Sequence, residues 1–286
     1  MEINKIYNEN CLETMARMPD CFVDLTVTSP PYDNLRTYNG YSFDFEAVAK
    51  ELYRATKQGG VVVWVVGDAT IKGSETGTSF RQALHFMDCG FNLHDTMIWS
   101  KPSFTAVGAL KTRYAQTFEY MFVFSKGKPK TFNPIKDRKN IHAGKKKQGT
   151  IRQKDGSTVP VSSIGKRYSE FGQRFNVWVY PSGYMVSSKD KIAFKHPAIF
   201  PEQIANDHII SWSNEGDLVY DPFMGSGTTA KMAIINKRNW IGSEISKEYC
   251  EIAEKRISSV LPPSSVSSEG ISTTLHFTCC PLCHGD

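Results

Sequence analysis

At 286 residues, with 40% hydrophobic and 12% aromatic side chains, the chain can bury one large core, or one core plus a modest module. No run approaches the roughly 20 apolar residues of a spanning helix, and the N-terminus lacks an apolar secretion signal. We therefore expect a cytoplasmic protein without membrane contact. The seven cysteines are odd in number and scattered, which argues against a disulfide framework.

The net charge of +5 conceals a strong local excess of basic residues. Residues 126–174 hold 14 Lys and Arg against 3 Asp and Glu, a local charge of +11, which leaves the rest of the chain at −6. A solvated loop is the plain interpretation of a charge run. A block of this size favours instead contact with a polyanion such as a phosphate backbone.

Short β-branched runs alternate with helical patterns in the first part of the chain, which indicates an α/β fold with a mainly parallel sheet. The predicted elements are strands at 23–27, 61–66, 91–99 and 118–124 and helices at 44–56 and 78–88. A Gly- and Pro-containing loop separates the last two strands. We expect these two to form an antiparallel hairpin at the sheet edge.

The periodicity weakens from about residue 126 to residue 195, where basic residues dominate, so this stretch is the candidate inserted module. Regular elements then resume. They are helices at 197–212, 228–236 and 246–257 and strands at 218–220 and 240–242. The tail at 261–286 is rich in Ser and Pro at its start and is predicted to be disordered. Its Cys279, Cys280, Cys283 and His284 form a cluster that could hold zinc or, by its spacing, attach haem, but a second ligand pair is missing and a metal site is not favoured.

The first chemical motif is Thr28-Ser29-Pro30-Pro31-Tyr32, which ends a predicted strand, where open α/β sheets place their ligand crevices. The prolines fix the backbone, so the Pro30 carbonyl and Ser29 Oγ could accept the two hydrogens of an exocyclic amine. Tyr32 offers a flat face for stacking a base extruded from a duplex. A rigid turn without chemistry is the alternative interpretation, since Ser, Pro and Tyr are ordinary turn residues.

The second motif, Asp-Pro-Phe-Met-Gly-Ser-Gly-Thr-Thr-Ala at 221–230, lies between a strand and a helix. Gly225 and Gly227 let a ligand approach the backbone closely, and Glu244 at the end of the next strand can accept hydrogen bonds from a ribose diol. The spacing also matches the dinucleotide fingerprint. A nicotinamide-dependent oxidoreductase is therefore a rival hypothesis from this motif alone.

Taken together and in this order, the two motifs resemble those of the amino-methylating DNA methyltransferases, in the motif order of their β group. The resemblance covers about residues 5–258, with Ser29 to Tyr32 matching the catalytic tetrapeptide and Phe223, Gly225 and Gly227 matching the cofactor turn. It implies a Rossmann-like fold and S-adenosylmethionine as the methyl donor. The cofactor-binding residues that it implies are His196, Asp221, Phe223, Gly225, Ser226, Gly227, Thr228 and Glu244.

The same resemblance divides the chain. Residues 1–125 form a catalytic half, 126–195 the target-recognition region and 196–260 a cofactor-binding half of the methyltransferase domain. Double-stranded DNA is the implied partner; whether a cognate restriction endonuclease exists, and the oligomeric state, stay open. The basic residues expected to contact DNA are Lys145, Lys146, Lys147 and Arg152.

We expect direct methyl transfer to the amino group of a flipped base in site-specific DNA methylation. Ser29 in place of Asp leans toward N4 of cytosine, because that variant resembles the cytosine-N4 enzymes; N6 of adenine is the alternative. A DNA-binding protein without turnover is a hypothesis from another class. An RNA or a protein amide is a further candidate substrate, although the basic segment favours nucleic acid over protein.

Overall fold

A computed structural model describes residues 1–31, 44–102 and 112–261 of the chain. The helices in these ranges are α1 (Cys11–Ala16), α2 (Phe45–Ala55), α3 (Thr78–Asp88), a 3-10 helix (Lys191–Lys195), α4 (Glu202–Trp212), α5 (Thr228–Ile235) and α6 (Lys247–Ser258). The strands are β1 (Lys5–Tyr7), β2 (Val23–Thr28), β3 (Thr56–Val66), β4 (Thr70–Ile71), β5 (Ser74–Glu75), β6 (Asn92–Ser100), β7 (Phe118–Ser125), β8 (Arg138–Lys139), β9 (Thr150–Arg152), β10 (Thr158–Pro160), β11 (Phe171–Gly172), β12 (Val177–Val179), β13 (Leu218–Asp221) and β14 (Asn239–Ser243).

Eight strands form the main sheet, in the order β1-β14-β13-β2-β3-β7-β6-β12. Every neighbouring pair is parallel except the two pairs that contain β7, so the expected mainly parallel α/β sheet is confirmed. Strands β6 and β7 form the expected antiparallel pair. This pair lies one strand in from the edge, because β12 adds in parallel to β6.

The sheet is covered on both faces, and β3 shows how the sequence directs this. Val61, Val63 and Val65 pack in a cluster with α4, α5 and α6, whereas Val62 and Trp64 pack in a second cluster with α1, α2 and α3. Successive side chains of a strand point to opposite faces, so a strand that is buried on both sides has an uninterrupted apolar run.

The structure differs from the sequence prediction at the helix expected from residue 197, which begins only at Glu202. Pro197 and Pro201 lack a backbone N–H and disfavour a helical conformation at the residue before each of them. Pro201 is the N-cap residue instead. The short elements β1, α1 and β12 are absent from the prediction, because three to six residues are too few to show a period.

Residues 138–172, hereafter the arm, form an antiparallel ribbon. Strands β8 and β11 pair at its base, Lys146 and Arg167 form a bridge midway, and β9 pairs with β10 near the turn at Gly156. The arm holds nine basic residues against two acidic ones. No helix of the described ranges is long and apolar enough to cross a membrane.

Candidate active site

Strands β2 and β13 lie side by side in the sheet, and the chain continues from them in opposite directions, to β3 on one side and to β14 on the other. In open α/β sheets ligands bind beyond the carboxyl ends of the strands at such a reversal. The first predicted motif follows β2 and the second follows β13. Sheet order therefore brings both motifs to one crevice.

The two motifs are in direct contact. Thr28 Oγ1 donates a hydrogen bond of 2.6 Å to Asp221 Oδ1, across 193 residues of sequence. Thr229 Oγ1 donates a second bond, of 3.1 Å, to the carbonyl oxygen of Val27. All these residues are buried, so water competes little for the bonds that hold the two loops together.

A cavity of about 760 Å³ opens at this point. The predicted site residues that line it are Ser29, Pro31, His196, Phe223, Gly225, Ser226, Thr228 and Glu244. Pro30, Asp221 and Gly227 are buried and do not line the cavity. Tyr32 lies outside the described residues, as do the cysteines and the histidine of the C-terminal tail.

The two glycines of the turn have left-handed backbone conformations, with φ of +51° at Gly225 and +78° at Gly227. A Cβ atom at Gly225 would lie 2.8 Å from Nε2 of His196, and one at Gly227 would lie 2.8 Å from Cβ of Ala253. Only glycine fits both the dihedral angles and the space. Gly225 thus admits the imidazole of His196 above the turn, while Gly227 lets α5 pack closely on α6.

His196 is held between the turn and α6. Its Nδ1 accepts a hydrogen bond of 3.2 Å from the backbone N–H of Ala198, and its ring meets the edge of Tyr249 at a centroid distance of 4.3 Å. Tyr249 also lines the cavity. It was not predicted as a site residue, since one tyrosine in a helix gives no signal of its own.

Glu244 links the turn to the next strand. One carboxylate oxygen accepts from the backbone N–H of Gly225 and the other from that of Ser246, each at 2.8 Å. Burial raises the pKa of Glu244, although these two donors oppose the rise. Each oxygen has capacity for a further donor, as a ligand diol would supply.

Asp221 is 2% exposed and acts from behind the turn. Its carboxylate accepts from Thr28 and, at 3.1 Å, from the backbone N–H of Phe223. Burial raises the pKa of Asp221 to about 6 against the lowering effect of these donors. The residue therefore holds the turn in place, and its direct contact with a ligand stays a prediction.

A further wall of the cavity comes from β6, from β7 and from Lys101, which follows the end of β6. The Nε1–H of Trp99 donates to the carbonyl oxygen of Tyr180 at 2.8 Å. The ammonium group of Lys101 lies 4.5 Å from the centroid of the Trp99 ring and pairs with Glu119. All three of Trp99, Lys101 and Glu119 line the cavity. Lys101 was not predicted, because the register of the two strands, and not the local sequence, places it beside Glu119.

A further residue missed by the sequence analysis, Arg256, lies beneath the turn and donates to the carbonyl oxygen of Ser226 at 2.6 Å. It falls on the buried face of α6, with Cys250, Ala253 and Ile257. An arginine on the apolar stripe of a predicted helix was the available signal, because a charged residue is rarely buried without partners.

The four residues predicted to contact DNA lie on the arm and do not line the cavity. Lys145, Lys146 and Arg152 are exposed. Lys147 is half-buried, with its ammonium group 5.3 Å from the centroid of the Tyr168 ring. The structure therefore separates a basic ribbon from the cavity that holds the two motifs.

A family model described as DNA methylase, for the enzymes that methylate N6 and N4 amino groups, matches residues 23–255. The chain belongs to this family. It is 65% identical over 240 residues to the orphan methyltransferase M.BamHII of Bacillus amyloliquefaciens, covering 83% of this chain and 89% of that protein. The amino-methylating DNA methyltransferase expected from the two motifs is thereby confirmed, and the nicotinamide hypothesis loses its support.

Solved structures share the fold. The PvuII DNA methyltransferase (cytosine-N4-specific) has a TM-score of 0.64 at 22% identity, over 91% of this chain and 92% of that one. A putative DNA modification methylase from Thermus thermophilus, complexed with S-adenosyl-L-methionine, has a TM-score of 0.61 at 24% identity, over 91% and 95%. The expected Rossmann-like methyltransferase fold is confirmed, and S-adenosylmethionine is the methyl donor of this family.

Proposed function

We propose that the protein transfers a methyl group from S-adenosylmethionine to the exocyclic amino nitrogen of a base flipped out of double-stranded DNA, with N4 of cytosine as the target. The observation that carries this proposal is the cavity lined both by Ser29 and Pro31 and by the glycine-rich turn. A methyl donor on the turn and an amine at the proline motif would then meet within one enclosure.

The cofactor end of the cavity is built from the turn and the residues that hold it. Glu244 would accept the ribose hydroxyls, while Phe223 and the turn residues Gly225, Ser226 and Thr228 would contact the rest of the cofactor. When bound, S-adenosylmethionine supplies an electrophilic methyl group on a positively charged sulfur. The carboxylate of Glu244 on the cavity wall suits such a cation.

At the other end, Ser29 Oγ and the Pro30 carbonyl would accept the two amino hydrogens and favour a pyramidal nitrogen. The amine lone pair would then bond to the methyl carbon as the carbon–sulfur electron pair returns to sulfur, which becomes a neutral thioether, and the methylated amine would pass one hydrogen to solvent as a proton. Tyr32 would stack on the flipped base. Positioning thus carries the catalysis, and no covalent intermediate with the enzyme forms.

The choice of cytosine N4 is supported by Ser29 at the first position of the tetrapeptide, and a cytosine-N4-specific enzyme is among the structures with this fold. Adenine N6 is the second candidate, because the amine geometry is the same for both bases. A cognate restriction endonuclease stays a prediction; the 65% identical relative is named an orphan methyltransferase.

We further propose that the region 126–195 recognises the target, with the arm as its DNA-contacting part. A two-stranded ribbon fits the major groove of B-DNA, where base edges are distinguishable. The exposed arm side chains include both cations and apolar groups, such as Ile151 and Val159 on paired strands. Cations contact phosphates, and apolar groups can meet thymine methyls.

Nucleoside mass spectrometry tests the proposal. Unmethylated DNA of varied sequence is incubated with the protein and labelled S-adenosylmethionine, and N4-methylcytosine is the expected product. Tyr32→Ala should abolish transfer while cofactor binding persists, because the aromatic ring that holds the base is gone.

Tyr114→Ala, at a tyrosine that is 99% exposed, is the matched control and should retain activity. N6-methyladenine would replace the cytosine assignment, and intact DNA and cofactor binding without transfer would favour a non-catalytic DNA-binding protein.

A further inference from the structure

Arg256 is a fully buried arginine whose hydrogen bonds converge on the cofactor turn from behind; its side chain is 0% exposed. Its guanidinium donates to Ser226 O (2.6 Å), Ser226 Oγ (2.9 Å), Thr228 Oγ1 (3.2 Å), Ser188 Oγ (3.4 Å), Asp190 Oδ2 (3.0 Å) and Glu202 Oε1 (2.5 Å). Arginine has five N–H donors in a rigid fork, so these acceptors use all of its capacity.

The charge of Arg256 is balanced locally. Lys231 donates to Asp190 at 2.7 Å and to Glu202 at 2.9 Å, so two cations and two carboxylates form a neutral group. Such a buried group is a weak indication of stability, because removing four charges from water costs about as much as their attraction returns. The role of this charged group is therefore argued from its hydrogen-bond geometry and not from a contribution to stability.

Within this group only the guanidinium reaches the turn. Ser226 and Thr228 flank Gly227 and line the cavity, and the two glycines of the turn can adopt many conformations when they are not held. The side-chain hydrogen bonds of Lys231 go to Asp190 and Glu202 instead. A rigid donor fork fixes Ser226 and Thr228, whereas Lys231 only neutralises charge.

The same arginine reaches the other wall of the cavity. Ser188 and Asp190 lie one and three residues after Ser187, which lines the cavity, and they belong to the segment that leads from the arm to α4. The side chain of Arg256 thus connects the segment 183–190 to the glycine-rich turn after β13. These hydrogen bonds fix the position of the segment relative to the turn in the absence of a ligand.

We propose that Arg256 is a positioning residue for methyl transfer, which holds the glycine-rich turn and the segment 183–190 in the arrangement that binds S-adenosylmethionine. The inference rests on the proposed placement of the cofactor on this turn. Preorganisation of this kind lowers the cost of ordering the site when the ligand binds. Its loss should appear in cofactor affinity more than in the chemical step.

The test compares Arg256→Lys with Lys231→Gln in the full-length protein, with S-adenosylmethionine titrated calorimetrically in the absence of DNA. Arg256→Lys keeps the positive charge, but an ammonium group cannot donate to all the acceptors that the guanidinium reaches. The Kd for S-adenosylmethionine should therefore rise about tenfold or more. KM for the cofactor should rise in parallel, with little change in kcat at saturation. Lys231→Gln should lower the thermal midpoint and leave the Kd close to that of the unaltered protein.

Equal effects of the two variants on the cofactor Kd, or no effect of Arg256→Lys, would overturn the inference. If the four charged groups served only to stabilise the fold, loss of either cation would change the Kd to the same extent. Glu244→Gln separates this failure from that of the proposed site: if it leaves the Kd unchanged, the cofactor is not on this turn. If Arg256→Lys does not fold, Asp190→Asn tests the same point. This variant weakens the hydrogen bond that the Nε–H of Arg256 donates to residue 190, and an unchanged cofactor Kd would count against the inference.

Discussion

The carboxyl group of Asp221 shows how a single residue joins the two motifs. It is buried, yet its partners are a hydroxyl from the end of β2 and a backbone N–H from the turn after β13. Neither partner carries a full positive charge, so desolvation prevails over hydrogen bonding and the pKa of Asp221 is raised to about 6. The residue therefore titrates within the range of ordinary buffers.

This raised pKa predicts a pH-dependent contribution to stability. The folded protein binds the Asp221 proton more tightly than the unfolded chain, whose pKa is near 3.8, so the contribution is full below that value and is lost as the pH rises through about 6. Asn keeps an acceptor for Thr28 and has no charge. The unfolding free energy of the unaltered protein, relative to Asp221→Asn, should fall by about 2 to 3 kcal/mol between about pH 4 and about pH 7.

Urea denaturation across this pH range measures that difference. Asp155→Asn is the matched control, because Asp155 lies on the exposed tip of the arm and should leave the pH dependence nearly that of the unaltered protein. A difference between Asp221→Asn and the unaltered protein that does not change with pH would mean that Asp221 titrates alike in both states.

At the scale of elements, the sequence pattern predicted where the arm lies in the chain but not that it forms a ribbon. Weak periodicity and a high basic content marked residues 126–195, yet the ribbon depends on a backbone ladder that a hydrophobic pattern does not record. Each of its paired strands has only two or three residues. The long strands and helices of the sheet were predictable, since buried apolar runs and amphipathic periods fix them.

The arm lysines should contribute to DNA affinity by pairing with phosphates. Replacing Lys145, Lys146 and Lys147 with Gln should weaken binding and flatten its salt dependence, by about 0.9 in the slope of log K against log salt for each phosphate no longer neutralised. Fluorescence anisotropy at several salt concentrations measures the slope. A second triple replacement at Lys237, Lys247 and Lys255, exposed residues outside the arm, controls for net charge. Equal slopes for the two triple variants would place the three arm lysines outside the DNA interface.

At the scale of the whole molecule, the site was only partly accessible to sequence reasoning. The two motifs and Glu244 were found because each has a local pattern at the end of a strand. Strand register brings Lys101 to the same cavity, and the packing of α6 brings Tyr249 to the cavity and Arg256 to the turn beneath it. The contacts of Lys101 and Tyr249 leave no local pattern in one sequence, and the signal for Arg256 was its place on the apolar face of a predicted helix.

The sheet order also shows that the two halves of the chain form one folding unit. Strands β13 and β14 from the second half lie between β1 and β2 of the first half. The pairs β1–β14 and β13–β2 join the halves by hydrogen bonds, and strands of both halves contribute side chains to both cores. The covalent connection through the arm is therefore not needed to hold the sheet together once it has formed.

Cleavage of the arm at its tip should consequently separate the two ligand affinities. A specific protease site in place of residues 153–157 would cut the exposed turn at Gly156. After cutting, the two fragments should stay together on gel filtration and bind S-adenosylmethionine with nearly unchanged Kd, because the cavity residues are all outside the arm. DNA affinity should fall, since the ribbon loses the turn that holds its paired strands in register.

The uncut protein with the same insert is the control. Dissociation of the fragments, or a large rise in the cofactor Kd, would show that the arm supports the cavity as well as the DNA contact.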